Sequence, residues 1–254
     1  MELVDTHCHL DLDAFEADRG QVLERARAAG VTRMVLPAVD AAHWNGLLRL
    51  CRDQPGLFPA LGLHPVFLDR HGAGDVAALE RAVERHSPVA IGEIGLDFLL
   101  RELDRARQQQ LFEAQLEVAR NAGLPVILHV RKAHDQVLAT LRRIPVAGGT
   151  AHAFNGSLQQ AHQYLDLGFR LGFGGMLTYA RSTRLRRLAR ALPPQGLVLE
   201  TDAPDMTVAA HHGERNSPEY LPYCLQALAE VRDEEPEELA RQTTENARAV
   251  FALP

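Results

Sequence analysis

The feature that most constrains this chain is an alternation, repeated eight times, of a short apolar run and a longer stretch with helical spacing. ELVDTH (2–7) is the first run. Helical spacing follows over 15–29 and stops at Gly30, a residue suited to ending a helix. TRMVLPA (32–38), LFPALGLHP (57–65) and PVAIGEIGLD (88–97) come next, with helical stretches at 41–52, 75–85 and 104–122. LPVILHVR (124–131) is continuously apolar, as expected of a strand buried on both faces, and a helix is predicted over 134–143. VAGGTAHAF (146–154), GFRLGFGG (168–175) and GLVLETDAP (196–204) complete the set, with helices at 158–167 and 183–192 between them. Two further helices, 218–231 and 236–251, end the chain. This order predicts an α/β fold of the (β/α)8 TIM-barrel type, with residues 1–254 forming one domain. The alternative, a doubly wound sheet, lacks the glycine-rich dinucleotide fingerprint after its first strand.

Composition narrows the functional classes. The chain has 254 residues, of which 46% are hydrophobic, enough for one substantial core. The net charge of −6 excludes a global basic surface, so an anionic substrate needs a local positive site. Lys132 is the only lysine, so phosphate contacts fall to arginine and its bidentate fork. Three cysteines without a CxxC pair argue against a disulfide framework and fit a reducing cytosol, and a cytoplasmic location is expected. The first residues lack signal-peptide character, and no apolar run is long enough for a membrane span. The acidic run DEEPEEL (233–239) reads as a helix start, where negative charge suits the macrodipole.

Reactive side chains lie at the ends of the strand candidates: His7 and His9, then His64, Glu93, His129, His152 and Asp202. In a barrel of this type, the C-terminal strand ends form the active-site face, so these distant residues would converge. Residues i and i+2 of a strand point the same way, so His7 and His9 aim together while Cys8 aims elsewhere and is not a ligand. A single H-x-H is a weak signal. Glu93 alone could be a buried ion-pair partner, and Asp202 alone a turn-forming residue before Ala-Pro. Taken together, and with His64 set aside, four imidazoles and two carboxylates suit two divalent ions sharing a carboxylate. Ions about 3.5–4 Å apart are a known arrangement for cleaving phosphoesters.

The motifs DTHCHLD (5–11), GLHP (62–65), GEIGLDF (92–98), ILHVR (127–131), HAFNGS (152–157) and ETDAPD (200–205) resemble, in that order, the signature blocks of the TatD family. This is a family of metal-dependent hydrolases with an amidohydrolase-like barrel. The ETDAPDM and GERNSPE stretches are most similar to its YjjV-like branch. The resemblance implies that His7, His9 and Asp202 hold one ion, that His129 and His152 hold a second, and that Glu93 bridges them. It places His64 and Arg131 against substrate, and it implies deoxyribonuclease or wider phosphoesterase activity, chiefly at DNA 3′ ends. Asp202 is then the expected proton acceptor for a metal-activated water, and Glu93 fixes the spacing. The donor set admits zinc or manganese, and the carboxylates admit magnesium. No obligate protein partner is implied, and a monomer is expected. Two departures stand out. HAFNG replaces the commoner HCFSG, and Asp205 replaces an aromatic residue, putting an anionic group where it opposes polynucleotide binding.

Amide, ester or lactone hydrolysis is the alternative chemistry, and a binding protein with a vestigial site is a third reading. Arg181, in the loop before the seventh helix, is a phosphate candidate. Arg184, Arg186, Arg187 and Arg190 read as the solvated face of that helix. His211 and His212 are expected in solvent, His134 at a helix start, and Asn216 as a brace for the last loop. His43, His71, His86 and His162 are expected on the surface.

Overall fold

The eight apolar runs pair side by side, in parallel and in chain order. A computed structural model describes residues 1–254. Its strands are β1 (Leu3–Asp5), β2 (Val31–Pro37), β3 (Leu57–Leu61), β4 (Ala90–Asp97), β5 (Val126–Arg131), β6 (Gly149–Ala151), β7 (Phe169–Phe173) and β8 (Leu197–Leu199). The helices are α1 (Arg19–Ala28), α2 (Trp44–Asp53), α3 (Asp75–His86), α4 (Arg105–Ala122), α5 (His134–Arg143), α6 (Leu158–Asp166), α7 (Thr183–Ala191), α8 (Leu221–Arg232) and α9 (Pro236–Phe251). The expected (β/α)8 TIM barrel is what forms, and no helix is long and apolar enough to cross a membrane.

No continuous ladder joins β8 to β1, and individual bonds make the seam instead. Thr6 N–H donates to Leu199 O at 3.0 Å, Asp202 N–H to His7 O at 2.8 Å, and His9 N–H to Ala203 O at 2.8 Å. The buried Asp5 carboxylate accepts from Thr201 N–H at 3.0 Å and from its hydroxyl at 2.5 Å. The seam therefore sets His7 and His9 beside Asp202.

Alternation along the strands divides their side chains between two cores. Val4, Val35, Ala60, Ala90, Ile127 and Val198 point inward and pack with Ala247, Phe251 and Leu253 from the chain's end. Their neighbours, such as Leu36, Leu61, Leu128 and Leu199, pack outward under the helices. On β5 the inward parity runs cleanly from Ile127 to His129. On β4 it does not. Ile91 and Ile94 both face the outer core, and three residues of β4 advance over only two of β5 between the Ile91–Val126 and Ile94–Leu128 pairs. This one-residue bulge turns Glu93 inward, where strict alternation from Ala90 would have turned it out. Gly95, just beyond, has φ +146°, and a Cβ there would lie 2.0 Å from His129 O. Only glycine lets the two strands close at this point.

Several elements are shorter than the sequence predicted. The first helix begins at Arg19, because a 3-10 turn over Asp13–Phe15 buries Phe15 before it. The first, sixth and eighth strands keep only three residues each, since the segments after them bend to form the mouth. The acidic run does start a helix, with Glu237 and Glu238 in the first turn of α9. His71 is not on the surface. It is 6% exposed, its Nε2 lies 2.8 Å from His64 O, and Arg107 bonds its carbonyl at 2.8 Å.

Candidate metal centre

Glu93 is the centre of the mouth and is 1% exposed. Its Oε2 lies 3.1 Å from His7 Nε2 and 3.4 Å from His9 Nε2. Its Oε1 lies 2.9 Å from His152 Nε2, 3.0 Å from His129 Nδ1 and 3.1 Å from His64 Nε2. Asp202 Oδ1 approaches the first set, at 3.6 Å from His7 and 3.7 Å from His9. The two oxygens of one carboxylate thus face separate groups of imidazoles. Three overlapping sets of donor atoms are close enough to hold an ion: His7, His9 and Asp202; His7, Glu93 and His152; and His64, Glu93 and His129.

Outer partners decide which ring nitrogens carry protons. His9 Nδ1 lies 3.1 Å from Pro37 O, a pure acceptor, so Nδ1 donates and, in the neutral ring that a cation would select, the inward Nε2 keeps its lone pair. His129 Nε2 lies 3.0 Å from Asp97 Oδ2, which leaves Nδ1 as the free lone pair facing Glu93. His64 is the reverse case. Its Nδ1 accepts the Val66 N–H at 3.0 Å, so the neutral ring carries its proton on Nε2. His64 therefore offers Glu93 an N–H rather than offering a cation a lone pair. Facing nitrogens are crowded, with His7 Nε2 and His9 Nε2 3.2 Å apart and His152 Nε2 and His129 Nδ1 3.4 Å apart. Lone pairs held this close in a buried site fit divalent cations.

The electrostatics are those of a desolvated charge cluster. Burial opposes ionisation of Glu93, but the fields of His64, His152 and His7 hold its carboxyl well below the usual range. Burial works against protonation of His9 and His152 too, yet the Glu93 carboxylate lifts them to about 9 and about 10. Burial, reinforced by the charge of His152, pushes His7 well below the usual imidazole value. Burial lowers His64 to about 4 despite Glu93. Behind His152, Glu200 is raised by burial to about 8. Its Oε1 accepts Ala153 N–H at 2.5 Å and lies 3.9 Å from His152 Nδ1.

A cavity of about 780 Å³ opens over the cluster, with Glu93, His64, His129, His152, Arg131 and Arg181 among its walls. The TatD related DNase family pattern matches residues 4–252. The chain belongs to the TatD family of metal-dependent hydrolases. It is 39% identical to the uncharacterised metal-dependent hydrolase YjjV of Escherichia coli K12, over 99% of this chain and 98% of that one. The crystal structure of YjjV superimposes with a TM-score of 0.96. A 3′-5′ ssDNA/RNA exonuclease TatD from Erwinia billingiae is 36% identical over 99% of this chain and all of its own length. A point variant of the Deinococcus radiodurans organophosphorus hydrolase shares the fold, at 15% identity and a TM-score of 0.65, over 98% of this chain and 92% of that one.

All seven strand-end residues singled out in the sequence meet in this TatD-family mouth. Cys8 is buried in the outer core and belongs to none of the donor sets. Arg131 lines the cavity with one guanidinium nitrogen 3.0 Å from Asp97. Arg181 lies over the Tyr179 ring at 5.3 Å. Asn216 braces the last loop, as expected, through Thr201 O at 2.8 Å and Asp205 O at 2.6 Å. His134 does begin α5, where it bonds Tyr164 and Asn155 at 3.2 Å each. Two expectations need correction. His211 is half-buried, stacked on Tyr220 with centroids 4.0 Å apart, because a flat ring pays less to be covered there than to stand free. Arg186 is half-buried and bonds Glu230, whereas Arg184 is exposed as expected and also donates to Asn155 O and Gly156 O.

Sequence reading missed the outer carboxylates Asp5, Asp97 and Glu200. The signal was present, since Glu200 precedes Asp202 and Asp5 precedes His7 by two residues, the same spacing that paired His7 with His9.

Proposed function

We propose that this protein hydrolyses phosphoesters at a two-metal centre, with single-stranded 3′ ends as the leading substrate class. The observation that carries the reading is the split environment of Glu93, whose Oε2 faces His7 and His9 and whose Oε1 faces His129 and His152. His7, His9 and Asp202 would hold one ion and His129 and His152 the other, with Glu93 shared between them. Zinc, manganese and magnesium all suit this mixture of donors. Ions bound there lower the pKa of water and neutralise charge on phosphoryl oxygens.

The chain's own residues supply the rest. Asp202 is partly open to the cavity at 15% exposure, and burial raises its carboxyl pKa. It is placed to take the proton of the attacking water. His64 lines the cavity with its Nε2–H turned to Glu93 Oε1, so it steadies that carboxylate beside the substrate. Arg131 and Arg181 add charge from the rim, which favours a phosphoester over an amide, ester or lactone. The exonuclease relative supports a nucleic-acid substrate.

The test removes metal with chelator and restores Mg2+, Mn2+ or Zn2+ singly. Substrates are 3′-labelled single-stranded DNA, a small phosphodiester, an ester, an amide and a lactone. Phosphoester cleavage that disappears and returns with metal is expected. Cleavage confined to the ester, amide or lactone, or indifferent to chelation, would overturn the reading.

A further inference from the structure

The cavity does not end at the charged cluster. Its lining includes Phe154, Phe173, Met176, Leu185, Leu188 and Met206. These come from the loop after β6, the end of β7, a 3-10 turn over Gly175–Thr178, α7 and the loop after β8. Met176, Leu185 and Met206 are only half-buried, so apolar surface faces the opening. A phosphate group needs only the charged end. A volume of about 780 Å³ lies well inside the range of pockets that enclose whole small ligands, and apolar surface there is best covered by an apolar group.

The polar groups on the same segments are Asn155, Arg181, Ser182, Thr183, Arg184 and Asp205. Arg184 turns one guanidinium nitrogen onto Asn155 O and Gly156 O, both at 2.7 Å. Ser182 and Thr183 offer hydroxyls at the rim. The Asn155 amide is engaged within the protein, its Oδ1 3.2 Å from His134 Nε2 and its Nδ2 donating to Ala153 O at 3.2 Å, so it is not free to read the edge of a base. Asp205 stands on the same rim.

We infer that this apolar annex holds a flat, weakly polar ring carried on the scissile phosphate, either a nucleobase or an aryl group, and recognises it by burial rather than by its edge. The inference rests on the phosphoester reading above. It makes the annex a specificity site for the terminal unit of a substrate and predicts little preference among bases.

The experiment is a calorimetric titration of the Mg2+-supplied protein with thymidine 5′-monophosphate, phenyl phosphate and methyl phosphate. Both ring-bearing probes are expected to bind at least about tenfold more tightly than methyl phosphate, the scale of one stacked ring. Leu185→Asp should bring these ratios near unity. Met176→Ser, a milder change, should reduce them in the same direction, should the first variant fail to fold. A margin for thymidine monophosphate alone assigns the annex to nucleobases, and a margin for phenyl phosphate alone assigns it to small aryl groups. Equal binding of all three overturns the annex and leaves the phosphoester reading standing. No binding by any of them overturns both.

Discussion

The two ends of the barrel interior are built from the same strands to opposite rules. At the floor, Val4, Ala60, Ala90, Ile127 and Val198 pack against Phe251 and Leu253. A few residues further along those strands, the mouth carries His7, His64, Glu93, His129 and Asp202, with charge packed against charge. The floor gains from every apolar contact. At the mouth, desolvation penalises every charge, and the cluster is tolerable only because each charge faces an opposite one. His7 Nδ1, His152 Nδ1 and Glu200 Oε2 still have no hydrogen-bond partner there. The contrast assigns stability to one end and chemistry to the other, and substitutions should separate them.

The largest effect is expected at Asp202. Asp202→Asn should lower kcat/KM for phosphoester cleavage by about 10²–10⁴-fold, the range for losing a general base, while urea unfolding changes little. A variant with intact turnover would remove Asp202 from the proton-accepting role. Ile127→Ala at the floor should do the converse. It should cost about 2–5 kcal/mol in urea unfolding, from lost burial and the cavity left behind, with metal content per chain unchanged. Loss of metal at wild-type stability would break the division between the ends.

Smaller effects sharpen the comparison at its boundary. Asp97 fixes His129 from behind, so Asp97→Ala should weaken metal binding by about 10–100-fold, read by competition with a chromogenic chelator. Unchanged affinity would show that the imidazole is held by packing alone. The pH dependence of chelator-treated protein comes last. His9 and His152 are raised above their unfolded value, so their stabilisation is complete below about 6.5 and lost as pH climbs through about 9 and 10. Glu200, raised by burial to about 8, also costs stability as pH rises from its unfolded value. Melting temperature should therefore fall between pH 7 and 10 without metal, and fall less with Mg2+ present. Parallel curves would contradict the coupling of protons to the cation site.

The mouth was the more legible end, since no pattern in the sequence marked Phe251 and Leu253 as the plug of the floor. β5 keeps its parity from Ile127 to His129, so its inward face follows from the sequence alone. The convergence of His7, His9, His129, His152 and Asp202 also followed, because a barrel carries all its strand ends to one face. The bulge at Glu93 did not. Nothing in AIGEIG marks which residue is inserted, and only the pairing with β5 reveals it. Asp97 and Glu200 lay within the recognised motifs but were unread, because a carboxylate that orients a ligand looks in sequence like any strand-end acid. His71 and His211 were misplaced because their partners, His64 O and the Tyr220 ring, are set by loop conformation rather than by local pattern.

The central claim is that Glu93 spans two ions. It is tested most directly by loading metal-free protein with Mn2+ and recording its electron paramagnetic resonance spectrum alongside metal analysis. The account predicts two Mn2+ per chain with the signal of a spin-coupled pair, and loss of that coupling in Glu93→Gln. One ion per chain, or two that give only isolated Mn2+ signals, would contradict it.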